Sequence, residues 1–177
     1  MLSLPLGANA QVVVLGSSDA QACYVMARDG NPGSAAAIRT CRSALDLSLS
    51  PEDLTATHVN IGILYMRAGD YRKSRAHYET AIASSPALPE AYINYGAALI
   101  YIEEYSQAIN ALSTAIDLGK TKAFEKMPEA LFNRALAYDR EQNYKAAYLD
   151  LRRALTLRPD WPPALAAVRR YNVKTPF

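Results

Sequence analysis

Residues His58–Tyr71 read HVNIGILYMRAGDY. Val59, Ile61, Ile63, Leu64 and Met66 predict a buried helix, yet Gly62 stands in its middle, where glycine costs about 1 kcal/mol relative to alanine. Asn60 adds a polar group to a segment that otherwise avoids them. Both exceptions recur. Thirty-four residues after Asn60 comes Asn94, and thirty-nine further on comes Asn133. The same two steps carry Gly62 to Gly96 and Ala135, Tyr65 to Leu99 and Tyr138, and Tyr71 to Tyr105 and Tyr144. They also carry Ala81 to Ala115 and Ala154, so a 34-residue unit is present three times, with five extra residues before the third copy.

Each unit reads as two helices. In the first unit they cover Thr55–Arg67 and Tyr71–Ser84, around the turn Ala68-Gly69-Asp70. Ser85-Pro86 closes the second helix, because proline cannot continue it. The units span 55–88, 89–122 and 128–161, and 123–127 is an insertion that should lengthen the loop between units two and three. Small residues recur at three places: Gly62, Ser74 and Ala81; Gly96, Ala108 and Ala115; Ala135, Ala147 and Ala154. Small side chains let paired helices approach closely, with Tyr78, Leu112 and Leu151 filling the space beside them. Gly62 thus trades helix propensity for packing.

This pattern resembles the tetratricopeptide repeat. The resemblance rests on the Asn-x-Gly/Ala-x-x-Tyr/Leu run of each first helix, the tyrosine opening each second helix, the small-residue triplet, and Pro86 and Pro159 at unit ends. Lys120 departs from it, standing where the second unit's closing proline would be. The resemblance implies an all-α fold, a right-handed α-solenoid of antiparallel helix hairpins whose first helices line a concave side. It also implies which residues face that groove. In unit one these are Ala56, Val59, Asn60, Ile63, Met66 and Arg67. In unit two they are Glu90, Ile93, Asn94, Ala97, Ile100 and Tyr101. In unit three they are Glu129, Phe132, Asn133, Leu136, Asp139 and Arg140. Such a wall is apolar and aromatic with sparse charge, suited to an extended or helical segment of another protein.

Asn60, Asn94 and Asn133 then form a candidate ladder. A carboxamide carries a donor and an acceptor, so it can pair with a peptide backbone whatever the side chains. Some superhelical members of the family carry such ladders; the alternative is that each asparagine holds a neighbouring helix or loop. The carboxylate clamp of chaperone-binding members needs Lys and Asn where this chain has Val59/Ile63, Ile93/Ala97 and Phe132/Leu136, which argues against capture of C-terminal carboxylates by that route.

No catalytic constellation accompanies this scaffold. His58 and His77 stand nineteen residues apart, without an adjacent nucleophile or metal-type spacing, and read as structural. Glu103-Glu104 reads as a helix start, where the macrodipole favours acids. No glycine-rich phosphate loop is present, so no cofactor, metal or small-molecule substrate is implied.

The two ends depart from the repeat. Asp19–Asp29 and Ser34–Leu47 predict a degenerate hairpin within 11–54, around the turn cluster DGNPGS. Cys23 and Cys41 lie nine residues either side of Pro32, so an antiparallel hairpin would bring them face to face. A disulfide there would contribute about 3 kcal/mol in the chain-entropy view; two buried thiols are the alternative. Ser50-Pro51-Glu52-Asp53 looks like a helix start with Ser50 as N-cap. Gln11–Leu15 (QVVVL) predicts an extended segment with no evident partner. Within 162–177, Ala164–Tyr171 predicts a single capping helix over the last apolar face.

Residues 1–10 end in Ala8-Asn9-Ala10, the small-x-small pattern that precedes a signal-peptidase cut, but no basic residue precedes the short apolar patch. Either this is the tail of a longer signal or the likeness is accidental. Export to a bacterial periplasm and a disulfide support each other, since the bond persists only in an oxidising compartment. A cytoplasmic chaperone of secretion, with reduced cysteines, is the alternative. No apolar run approaches the roughly 20 residues that span a bilayer. The net charge of +2 is too small to argue for nucleic acid, although residues from Lys145 onward carry seven Lys/Arg against two acids. A wall of apolar residues could equally serve a homo-oligomer.

Overall fold

The computed structural model describes residues 12–14, 18–120 and 124–171. Among the described residues the fold is all-helical, with nine helices and no strand. They are α1 (Ser18–Arg28), α2 (Ala35–Leu45), α3 (Pro51–Arg67), α4 (Tyr71–Ser84), α5 (Pro89–Tyr101), α6 (Tyr105–Gly119), α7 (Met127–Arg140), α8 (Tyr144–Leu157) and α9 (Pro162–Val168). Successive helices pair as hairpins α1–α2, α3–α4, α5–α6 and α7–α8, and each hairpin packs on the next, with α9 against α8. The first helices touch in series, α3 on α5 and α5 on α7.

The hairpins close where the small residues predict. Gly62 carries no Cβ because one would collide with the ring of Tyr78, which is itself fully buried. At Gly96 the obstacle is Leu112. Ser74 adds a hydrogen bond, its hydroxyl donating to the Gly62 carbonyl at 2.9 Å. All nine triplet positions are buried. Ser50 caps α3, its hydroxyl accepting from the Asp53 amide at 3.0 Å with Pro51 in the first turn. The predicted start at Ser50 and the predicted helix at Thr55 are therefore one helix.

The turns share a device the residue types conceal. Gly69, Glu103 and Gln142 hold equivalent positions and all have positive φ, at 77°, 65° and 62°. Glu103 is thus a left-handed turn residue rather than part of a helix start. Glu104 is the N-cap of α6, and its carboxylate accepts both contacts, 2.7 and 2.8 Å, from one Arg75 nitrogen on α4. The insertion is not a slack loop where it is described: Phe124 and Met127 pack on the cluster of Ile93, Ala115, Ile116 and Leu131.

The N-terminal hairpin forms as expected. Cys23 and Cys41 are disulfide-bonded with Cα atoms 4.7 Å apart, inside a cluster with Ala37, Ile61 and Leu64. The capping helix α9 begins earlier than predicted, at Pro162, because two prolines fit a first turn whose amides need no partner. It ends at Val168, so the predicted stretch to Tyr171 finishes as a turn.

Candidate functional site

Position along the first helix decides which side the predicted groove residues serve. Val59, Ile93 and Phe132 are fully buried between hairpins. Val59 clusters with Ala91 and Ala98 of α5, Ile93 with Ala130 and Leu131 of α7, and Phe132 with Ala164 and Ala167 of α9. Ile63 and Ala97 are buried as well, whereas Met66, Ile100 and Leu136 are half-buried. Tyr101 is 41% exposed and stacks on Tyr71 with ring centroids 4.3 Å apart, and Arg140 is exposed. The charged end of the wall is already engaged. Asp139 accepts from Arg170 at 2.8 Å and from the Tyr171 hydroxyl at 2.6 Å, which ties the last turn to α7. Burial, followed by that hydrogen bond, pushes the Tyr171 hydroxyl pKa upward. Arg67 donates to the Asn31 carbonyl at 3.3 Å, linking α3 to the α1–α2 turn.

The three asparagines are fully buried, each at the same place on its helix. Asn60 donates through Nδ2 to the carbonyl of Val12 at 3.1 Å, while its Oδ1 is buried with no partner. At Asn133 both amide atoms are buried and unpartnered. An orphaned amide of this kind costs about 1–3 kcal/mol, so these groups are a cost to the fold as it stands.

Val12–Val14 of the predicted extended segment thereby acquire their partner; Gln11 and Leu15 lie outside the described residues. Val12 packs on the cluster holding Val59, Ile63 and Ala98. Val14 is 2% exposed, set among Ala20, Ala44 and Ala56, and Val13 between them is 57% exposed. In–out alternation is that of an extended chain. Among the described residues no strand forms beside it: α3 and its neighbours supply side chains.

Two polar pairs escaped the sequence reading. The rings of His58 and His77 meet at Nδ1 to Nδ1 3.0 Å, with His77 stacked on Tyr65. Burial first, then the charges of His58 and Arg42, push the His77 pKa down to about 4; burial lowers His58 too. His58 lies eleven residues before Gly69 and His77 eight after it, so mirror spacing about the turn does not mark this pair as it marks the cysteines. On unit three, Arg134 grips Asp150 with two nitrogens at 2.6 and 2.9 Å and donates to Ser113 of α6 at 2.9 Å. Three of the seven basic C-terminal residues face carboxylates: Arg153 pairs with Asp150, Arg158 with Glu129, and Arg170 with Asp139.

Among the described residues no group of three or more His, Cys, Asp or Glu side chains gathers as a metal site. No helix there is long and apolar enough to cross a membrane. A surface hollow of about 430 Å³ lies at the first-unit turn, lined by Ala68–Arg72 and Ile102, and includes none of the wall residues.

Comparison with known proteins shows what two stretches of the chain, and its fold, are similar to. The tetratricopeptide repeat profile matches residues 55–88 and 128–161. Those two stretches are similar to the tetratricopeptide repeat. The hairpin at 89–122, with Lys120 in place of its closing proline, lies outside the two matched stretches although α5–α6 packs as the others do. Solved structures, two of them tetratricopeptide domains by title, share the fold. MamA residues 41 to the end from Desulfovibrio magneticus align with TM-score 0.68 and 20% identity over 86% of this chain and 82% of theirs. The Arabidopsis OM64 tetratricopeptide domain aligns with TM-score 0.64 and 25% identity over 68% and 96%. The second such domain of human RPAP3, solved with an HSP70 peptide, gives 0.63 and 21% over 71% and 100%.

Proposed function

We propose that this tetratricopeptide array is a non-catalytic scaffold that holds a segment of another protein along the wall of α3, α5 and α7. One observation carries the reading: Asn60 on that wall already grips main chain, the Val12 carbonyl, at 3.1 Å. Equivalent carboxamides follow at Asn94 and Asn133, and the latter is unpartnered. The RPAP3 domain of the same fold was solved with a peptide bound, which supports the class of ligand. The C-terminal-carboxylate route stays closed here for want of the clamp residues. An exported, periplasmic setting is favoured over a cytoplasmic secretion chaperone by the bonded Cys23–Cys41 pair, which an oxidising compartment preserves. A polyanion role for the C-terminal end is disfavoured, because Arg153, Arg158 and Arg170 already face carboxylates.

Affinity capture tests the wall: purified chain is compared with Asn94→Ala and Tyr101→Ala variants on an array of envelope-protein segments. Lost or weakened capture by either variant is expected. Undiminished capture by both removes the wall as the binding surface. Counting free thiols on protein purified without reductant tests the setting, with none expected.

A further inference from the structure

The segment seated on α3 also states what it is imitating. Val12 and Val14 turn inward, Val13 turns outward, and a main-chain carbonyl lands on the Asn60 carboxamide. That is the contact set of a bound extended peptide supplied by the chain itself. It is an incomplete one. Asn60 receives a carbonyl but no N–H, leaving Oδ1 buried and unpartnered, and Asn133 further along the wall receives neither. An extended peptide backbone offers both groups, so one seated at Asn60 in the strap's place would also satisfy the Oδ1 that Val12–Val14 leaves without a donor.

We infer that Val12–Val14 is a built-in pseudo-ligand, and that the partner it yields to is an extended segment with aliphatic, β-branched residues at alternate positions. This rests on the docking-wall reading and adds the ligand's chemistry and a cis competitor. The occupied state lowers apparent affinity in proportion to the fraction of molecules whose wall is free. A partner binds by displacing the strap and exchanges one carbonyl contact at Asn60 for a carbonyl and N–H pair. The strap's connection to α1 is short, so release requires only that Val12 and Val14 leave their clusters while the Cys23–Cys41 hairpin stays closed.

The test uses the full chain and a fluorescein-labelled synthetic peptide with the sequence of residues 11–17, QVVVLGS. Carrying Val12→Ser and Val14→Ser together, the chain should bind this peptide about tenfold more tightly than the natural chain, as expected if about nine molecules in ten hold the strap closed. Adding Asn60→Ala should abolish the gain. Because Val14 is buried and its loss could loosen the hairpin, hydrogen exchange on the unsubstituted chain provides a second measurement. Saturating peptide should speed exchange at the Val13 and Val14 amides while slowing it in α3. Equal affinity for natural and double-substituted chains, with Asn94→Ala weakening both, would overturn the strap and leave the wall standing. Binding to neither chain would overturn both. A dimer that the double substitution dissolves would place one copy's strap on its partner's wall and overturn the cis arrangement.

Discussion

Units one and three repeat the same backbone and differ in what they do with their polar side chains. At one shared position unit one has His77, paired with His58, and unit three has Asp150, clamped by Arg134. At another, Asn60 holds the Val12 carbonyl, whereas Asn133 holds nothing. The small residues that set the helix approach are common to both, and so is the fold. What differs is charge, satisfaction and neighbours, because unit one leans on a stapled hairpin while unit three leans on the single helix α9. A repeat's packing is thus inherited from its motif, and its chemistry is set by its place in the stack.

The largest expected difference lies in the buried ion pair. Asp150→Ala strands the Arg134 guanidinium among α6, α7 and α8 and should cost about 3–5 kcal/mol in urea unfolding. His77→Ala, at the same position of unit one, strands no permanent charge and should cost far less at pH 7.5. Equal losses would erase the distinction drawn here. Next comes the staple. Reducing Cys23–Cys41 should cost about 3 kcal/mol, and mass-spectrometric hydrogen exchange should quicken in α1 and α2 but not in α7 and α8. Exchange that quickens evenly would mean the array unfolds as one block.

The asparagines should respond in opposite directions. Asn133→Leu removes two buried orphan atoms and should raise stability by about 1–2 kcal/mol, whereas Asn60→Leu leaves the Val12 carbonyl without its donor and should lower it by about 1 kcal/mol. Thermal unfolding of both variants checks the sign. The smallest signal is protonic. The His77 pKa is pushed down to about 4 from an ordinary 6.5, so the folded state binds fewer protons than the unfolded chain between those values. Stability is therefore full above about pH 6.5 and falls as the pH drops toward 4. His77→Gln should flatten that slope, with unit three's stability indifferent to the change.

Much of this architecture can be read before any coordinates, for a definite reason. Each hairpin's packing depends on residues within 34 positions, and repetition exposes them: Gly62, Gly96 and Ala135 mark the same close approach. Mirror spacing about a turn likewise reveals the cysteine pair. Features that occur once are hidden. Arg134–Asp150 has no counterpart in the other units, and Glu103 and Gln142 conceal a left-handed turn behind residues that rarely adopt one. The strap is hidden more deeply, since forty-eight residues and a side-chain-to-main-chain contact separate Val12 from Asn60. Burial also divides the predicted groove: Val59, Ile93 and Phe132 join the seams between hairpins, and the asparagines beside them carry the polar opportunity.

The wall's role is tested most directly through those carboxamides. In a uniformly nitrogen-labelled chain, side-chain amide resonances of Asn60, Asn94 and Asn133 are followed while the QVVVLGS peptide is added, with exposed Asn110 on α6 as the reference. Saturable shifts at the three wall asparagines, with Asn110 unmoved, are the predicted result. Shifts confined to Asn110 and the second helices α4, α6 and α8 would contradict it.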